Sequence, residues 1–289
     1  MNKNVVTFLN CDACYSDARI VLFGAPFDGT TSFRPGTRFA SEVMRMDSIG
    51  LESYSPYQDR DLQDIAVFDA GELELPFGNT ERALADIEAF TDKVYADGKT
   101  PCMIGGEHLV TLGAVRAAVK RYPDLRIVHF DAHADLRDDY LGERLSHACV
   151  LRRVWELLGD GRIHQFGIRS GDRSEFIWGK EHVHTRLFDF QGLSETVEKL
   201  KGKPVYFTLD LDVLDPSIFP GTGTPEAGGV TFRELMDAIL KLQGLNIVGF
   251  DINELSPHYD QSGVSTAVAC KVLRELLLLA DNNLKRQAS

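Results

Sequence analysis

Residues 127–136 read IVHFDAHADL, an apolar run that ends in three ionisable side chains spaced two residues apart. The apolar residues are strand formers, and a strand sends alternate side chains to one face. We therefore expect Asp131, His133 and Asp135 to share a face. Two carboxylates beside an imidazole repel each other and lose hydration where a sheet meets its neighbours. A metal ion offsets that cost, so the stretch predicts a strand whose end carries metal ligands.

Short apolar runs with strand character recur along the chain, and stretches of helical periodicity separate most of them. The runs begin at residues 19, 65, 101, 126, 162, 183, 204 and 246, and helical periodicity covers residues 80–96, 109–120, 150–158, 232–242 and 267–279. This alternation is typical of a parallel sheet covered by helices. We predict an α/β fold, a three-layer sandwich with a mostly parallel sheet of about eight strands, in a single domain spanning residues 1–289.

The composition restricts partners and location. A formal net charge of −12 disfavours nucleic acid and anionic membranes as partners, because both need a basic footprint. The start of the chain lacks a signal-peptide pattern, and no apolar run approaches the roughly 18 residues of a membrane-spanning helix. Five scattered cysteines make no disulfide framework in a chain of this length. We expect a cytoplasmic protein in which Cys11 and Cys14 are incidental thiols.

Polar residues follow four of the predicted strands, at the edge where parallel sheets bind ligands. The segment FTLDLDVLDP (207–216) repeats the pattern of two aspartates at a strand end, and IGGEH (104–108) adds a histidine after a third strand. The potential ligands are four carboxylates and two imidazoles: Asp131, Asp135, Asp210, Asp212, His108 and His133. Four negative charges match two divalent ions, so a two-metal site is predicted. His129 lies deeper in its strand and is interpreted as a core residue.

Ligand hardness limits the choice of metal. Oxygen-rich sites suit Mg, Ca or Mn, imidazole adds affinity for transition ions, and no cysteine joins the cluster. Manganese satisfies both conditions, and zinc is the alternative. Two ions about 3.5–4 Å apart lower the pKa of a shared water, which supplies the nucleophile of a hydrolase. Glu254, in FDINELSP (250–257), is a further carboxylate beyond a strand end, and it suits a planar guanidinium cation.

Together these motifs resemble those of the ureohydrolase family, which includes arginases, agmatinases and related amidinohydrolases. The resemblance extends over nearly the whole chain. It includes GAPFDGTTSFRPGTRFAS (24–41), IGGEH, HFDAHADL, LSHA (145–148), TLDLDVLDPSIFPGTGTPEAGG (208–229) and FDINELSP, in that order. It implies an arginase-like fold, two Mn²⁺ ions per chain, and trimers or hexamers of identical chains.

The resemblance also implies roles for individual residues. One ion would be bound by His108 and Asp135, the other by His133 and Asp212, with Asp131 and Asp210 bridging both. Asp135 would pass a proton from the attacking hydroxide toward the leaving amine, His147 would shuttle protons, and Glu254 would hold the guanidinium. The family often has glycine after that histidine, whereas this chain has Ala148.

The segment RDDYLGERL (137–145) bears on the choice of substrate. Its acids, Asp138, Asp139 and Glu143, suit the ammonium tail of agmatine, and the segment lacks the Asn and Ser residues that the similar arginase loop uses for an α-carboxylate. We therefore expect hydrolysis of agmatine to putrescine and urea. The glycine-rich segment PGTGTPEAGG (220–229) lacks a P-loop lysine and is interpreted as a turn that shapes the pocket, with Thr224 a candidate substrate contact.

Other functions fit parts of the pattern. Arg137 and Arg144 suit a carboxylate, which keeps arginine, guanidinobutyrate and formimidoylglutamate as alternative substrates. A single-zinc deacetylase can be built on a similar sheet, but His108 and the full set of aspartates favour two ions. A catalytically silent metal-binding protein would be expected to have lost His147 or Glu254, and both are present.

Overall fold

The computed structural model describes Met1 and residues 4–288. Its strands are β1 (Ile20–Gly24), β2 (Tyr54–Ser55), β3 (Arg60–Asp61), β4 (Val67–Glu72), β5 (Thr100–Ile104), β6 (Arg126–Phe130), β7 (Ile163–Ile168), β8 (His184–Leu187), β9 (Pro204–Asp210) and β10 (Asn246–Asn253). Its α-helices are α1 (Ala40–Asp47), α2 (Thr80–Ala96), α3 (Val110–Arg121), α4 (Val150–Leu158), α5 (Arg173–His182), α6 (Leu193–Leu200), α7 (Phe232–Lys241) and α8 (Val264–Ala288).

Eight of the strands form one sheet in the order β4-β1-β5-β10-β9-β6-β7-β8, and every neighbouring pair is parallel. The predicted fold class is therefore confirmed, with all eight predicted strands in the sheet. Strands β2 and β3 pair separately as a small antiparallel hairpin.

Helices cover both faces of the sheet and complete three layers. Helices α1, α6, α7 and α8 pack on one face, and α2, α3 and α4 pack on the other, where α5 adds partly buried aromatic rings. Both faces of the central strands are consequently buried, and β1 and β5 are buried at every residue. This explains why the strands read as continuous apolar runs rather than as alternating patterns.

Helix boundaries follow local capping chemistry. At the start of α5, the Asp172 carboxylate accepts the backbone N–H of Ser174 while Glu175 reaches back to the backbone of Asp172. Thr231 and Glu234 form the same reciprocal pair at the start of α7. Such capping boxes satisfy backbone donors that the first helical turn leaves free.

Two further observations bear on the sequence-based expectations. All five cysteines of the chain are unpaired thiols, with Cys11 buried and Cys14 exposed. Within the described part of the chain, no helix combines the length and apolar character needed to cross a membrane.

Candidate metal centre and active site

Four adjacent strands of the sheet deliver the candidate residues to one edge. Strands β5, β10, β9 and β6 are neighbours, and their carboxyl ends lead to His108, Glu254, Asp210 and Asp131 respectively. Because parallel strands all end on the same side, residues separated by more than a hundred positions in the sequence meet there.

A first cluster surrounds the imidazole of His108. Its Nδ1 atom lies 3.1 Å from Asp131 Oδ2, 3.4 Å from Asp135 Oδ2 and 3.3 Å from Asp210 Oδ2. The opposite nitrogen, Nε2, is 2.8 Å from the hydroxyl of Thr208. One imidazole nitrogen and three carboxylate oxygens therefore converge on a single point.

A second cluster surrounds His133. Its Nδ1 atom lies 3.0 Å from Asp212 Oδ2 and 3.6 Å from Asp131 Oδ1. These three residues also present ligand atoms within 4.8 Å of one another. Asp131 belongs to both clusters, with one carboxylate oxygen directed to each, as a bridging ligand must be.

The backbone brings these side chains together in a different way from the one predicted. Strand β6 ends at Phe130, so residues 131–135 lie in a loop and do not continue the alternation of the strand. Asp135 has a left-handed backbone with φ 53°, and this turn aims its carboxylate back at His108. The prediction that strand alternation places these side chains on one face is therefore wrong. A strained loop, and not the geometry of a strand, brings the carboxylates together.

Burial makes the charge of this cluster costly without a cation. Burial and the neighbouring Asp131 raise the pKa of Asp135 to about 7, and burial together with Asp212 raises the pKa of Asp210 well above its usual range. Burial also opposes ionisation of Asp131, but its hydrogen-bonded histidines outweigh that effect and hold its pKa well below the usual range.

The donor set fits two divalent ions. Among the described residues, no lysine or arginine forms an ion pair with Asp131, Asp135, Asp210 or Asp212, and their recorded ionic partners are histidines. Four buried carboxylates and two imidazoles thus lack a fixed cationic counterpart. Protons and metal ions compete for such groups, and hard oxygen donors with imidazole suit manganese-like ions.

His147 begins a short 3-10 helix next to these clusters. Its Nε2 atom lies 2.9 Å from Ser32 Oγ, and its backbone N–H donates to Thr30 Oγ1 at 3.1 Å. Its Nδ1 atom is 4.0 Å from Glu254 Oε1, which accepts the backbone N–H of His108 at 2.8 Å. Burial, with a further contribution from the nearby His133, lowers the pKa of His147 to about 4, so its imidazole is neutral at neutral pH.

A cavity of about 240 Å³ opens onto this arrangement. Its walls include His133, Asp135, His147 and Thr224, together with Ser32, Arg137, Tyr140 and Ser170. Thr224 also donates to Asp212 over a long 3.4 Å contact. The cavity therefore reaches residues of both clusters and the imidazole of His147, whereas Glu254 is not among its lining residues.

Two of the three acids of the 137–145 loop have other partners, and none of the three lines the cavity. Asp138 accepts a 2.7 Å hydrogen bond from Arg153, and Asp139 accepts the N–H of Gly142 within a turn. Neither acid, nor Glu143, is among the residues that line the cavity. Of the two arginines considered, Arg137 lines the cavity, while Arg144 pairs with Glu156 on the surface.

Sequence reasoning missed the loop that supports His147. Glu107 is fully buried and accepts hydrogen bonds from the backbone and hydroxyl of Thr30 and from the hydroxyl of Thr31. This carboxylate anchors the loop that supplies Ser32 to His147. The only sequence signal was the position of Glu107 in IGGEH beside a predicted metal ligand, together with the polar DGTTS stretch near the start.

His129 was interpreted as a core residue. It is fully buried, as expected, but its Nε2 atom lies 2.8 Å from Oδ2 of Asp131, a candidate metal ligand.

The chain is similar in sequence and structure to proteins of known family. A profile of the arginase family matches residues 18–279. The agmatinase of Bacillus anthracis is 47% identical over 276 residues, which cover 94% of this chain and 95% of that protein. The agmatinase of Bacillus subtilis (strain 168) is 48% identical over 268 residues, covering 91% and 92%. The crystal structure of the agmatine ureohydrolase of Thermoplasma volcanium superimposes with a TM-score of 0.88 at 36% identity, covering 98% of this chain and 97% of that one.

Proposed function

The chain belongs to the arginase family, and we propose that it hydrolyses agmatine to putrescine and urea. The observation that carries this proposal is the likeness to bacterial agmatinases along more than nine-tenths of both chains. In the reaction, water adds to the guanidinium carbon, the bond from that carbon to the alkyl nitrogen breaks, and the leaving amine takes up a proton.

The metals are proposed to be two Mn²⁺ ions. His108 and Asp135 would hold one ion, His133 and Asp212 the other, and Asp131 and Asp210 both. Oxygen-rich donors with imidazole and without cysteine support this choice. When bound, two such ions supply a water of lowered pKa that is nucleophilic at neutral pH.

His147 is proposed as the group that moves protons between the cavity and solvent. It lines the cavity beside Asp135, and its imidazole is unprotonated at neutral pH, which is the form from which a proton acceptor acts. Ser32, an exposed residue, hydrogen-bonds the imidazole at Nε2. Asp135 is proposed to pass a proton toward the leaving amine, because its carboxyl lines the same cavity as His147.

Glu254 is proposed to pair with the guanidinium. Burial and the nearby Glu107 raise the pKa of Glu254, and a guanidinium bound beside it would favour the ionised carboxylate because opposite charges attract. Its Oε1 atom lies 4.0 Å from Nδ1 of His147, a residue that lines the cavity, so a guanidinium bound next to that imidazole would be near the carboxylate.

One observation favours a second substrate. Arg137 lines the cavity, where its guanidinium would suit the carboxylate of guanidinobutyrate rather than the ammonium of agmatine. Its Nε lies 3.6 Å from Glu175 Oε2, however, and this buried carboxylate offsets its charge. We also propose that the chain is a single domain that works in the cytoplasm, in keeping with the one family profile over residues 18–279 and with its five free thiols. Its assembly into a trimer or hexamer is proposed from the family resemblance.

Urea release from purified protein reconstituted with Mn²⁺ tests the activity. We expect kcat/KM for agmatine to exceed that for arginine and guanidinobutyrate by at least about tenfold, the effect of 1.4 kcal/mol in transition-state binding. Formimidoylglutamate is assayed by formamide release. An Asp210→Asn variant prepared in parallel controls for contaminating enzymes. Preference for any of the other three substrates would refute the substrate assignment, and one metal ion per fully active chain would refute the two-metal centre.

A further inference from the structure

A chain of hydrogen bonds leads from the edge of the sheet to the carboxylate shared by the two clusters. His129 Nε2 lies 2.8 Å from Asp131 Oδ2, and His129 Nδ1 lies 3.1 Å from Gln165 Nε2. Gln165 also donates to the carbonyl of Ala134 at 2.7 Å and accepts from the hydroxyl of Thr185 at 2.9 Å. These residues come from the neighbouring strands β6, β7 and β8 and from the loop after β6.

The partners of Gln165 determine which nitrogen of His129 carries the proton. The carbonyl of Ala134 can only accept, so the amide group facing it must be the NH₂. The same NH₂ faces His129 Nδ1, which must therefore be the accepting, unprotonated nitrogen. The proton is then on Nε2, where it is donated to Asp131. A nitrogen that carries this proton has no lone pair for a metal ion.

The orientation of Asp131 matters because its two oxygens serve different clusters. Oδ1 accepts the backbone N–H of His133 at 2.5 Å and faces the second cluster, while Oδ2 lies 3.1 Å from His108 Nδ1 in the first. Rotation of this carboxylate about its own axis would remove an oxygen from both metal positions. The bond from His129 opposes that rotation, because it fixes Oδ2 from the buried side.

We propose that His129 and Gln165 are positioning residues that hold Asp131 across the two metal positions. The inference rests on the two-metal centre of the proposed function. It goes beyond that function because it assigns His129, which lies among the possible ligands, a role that does not include metal binding. Hydrogen-bond partners of metal ligands typically change metal affinity by 10- to 100-fold, roughly, when they are removed.

Titration of metal-free protein with Mn²⁺, followed by electron paramagnetic resonance of the free ion, tests the role without any substrate. His129→Phe keeps an aromatic ring but loses the donor, and we expect its Mn²⁺ affinity to fall about 10- to 100-fold while two ions still bind at saturation. His129→Gln places an amide N–H near the original Nε2 and should restore most of the affinity.

His164→Phe is the matched control, since His164 is a buried histidine of the adjacent strand β7 that stacks on His184 and has no recorded contact with the metal ligands. Its affinity should stay within about twofold of the parent.

Two results would overturn the proposal. Unchanged affinity in His129→Phe would remove the positioning role, and the loss of one ion at saturating Mn²⁺ would make His129 a ligand instead. If His129→Phe does not fold, Gln165→Leu is tested instead, because it removes the amide that donates to His129 from the neighbouring strand. The Mn²⁺ affinity of Gln165→Leu should fall at least about threefold, and an unchanged affinity would count against the proposal. Two tightly bound ions in a parent that does not hydrolyse agmatine would refute the substrate and leave this inference intact.

Discussion

Replacing Ser32 with alanine removes one hydrogen bond from His147 and leaves the metal ligands untouched. Ser32 is an exposed residue, and its hydroxyl lies 2.9 Å from His147 Nε2. A neutral hydrogen bond contributes about 0.5–1.5 kcal/mol. Since 1.36 kcal/mol corresponds to a tenfold change in rate, Ser32→Ala should lower kcat by roughly two- to thirteenfold if the bond orients the imidazole for proton transfer. Mn²⁺ binding should not change.

The double variant distinguishes this role from a direct contact between Ser32 and substrate. His147→Ala alone should lower kcat by about 10²–10⁴, the usual contribution of general acid or base catalysis. Because Ser32 is argued to act through His147, adding Ser32→Ala to that variant should change kcat less than about twofold.

Steady-state urea release at saturating Mn²⁺, with elemental analysis of each protein, measures these effects. Ser32→Thr keeps a hydroxyl and should retain most of the activity. Ser16→Ala is the matched control, since Ser16 is exposed and its hydroxyl bonds only the adjacent Asp17 among the described contacts. The reasoning is refuted if Ser32→Ala is fully active, or if it costs the same factor whether or not His147 is present.

Three further outcomes follow from the site. Asp210→Ala removes a carboxylate from the first cluster and should abolish activity with loss of at least one ion; a fully active variant would contradict the ligand assignment. Glu254→Gln keeps an oxygen that accepts the N–H of His108 but loses the negative charge that would pair with guanidinium. The value of kcat/KM for agmatine should therefore fall about 30-fold or more, the effect of about 2 kcal/mol. An unchanged value would mean that the role of Glu254 is structural. The preference for agmatine over arginine should stay within about twofold of the parent value in a variant that combines Asp138→Asn, Asp139→Asn and Glu143→Gln, because these acids do not line the cavity. Loss of that preference would show that the loop contacts the substrate tail.

Much of the fold could be read from local patterns. The buried strands are short apolar runs with turn residues at their ends, and each pattern depends on residues close together in the chain. The same holds for the ligand candidates, because a carboxylate or histidine directly after a parallel strand must lie at the ligand-binding edge of the sheet. Asp131, Asp210 and His108 could therefore be predicted as neighbours before their distances were known.

Other features depended on how distant segments meet, which no local pattern reports. Only the strand order makes β5, β10, β9 and β6 neighbours and so brings Glu254 to the backbone of His108. Only the path of the loops places Arg153 where it donates a hydrogen bond to the carboxylate of Asp138, which does not line the cavity. Hydrogen bonds require atoms within about 3 Å, and periodicity in the sequence specifies which side of an element is buried without specifying what lies against it. The sequence therefore determined the candidate ligands, while tertiary structure decided which residues support them, from Glu107 and Ser32 to His129 and Gln165.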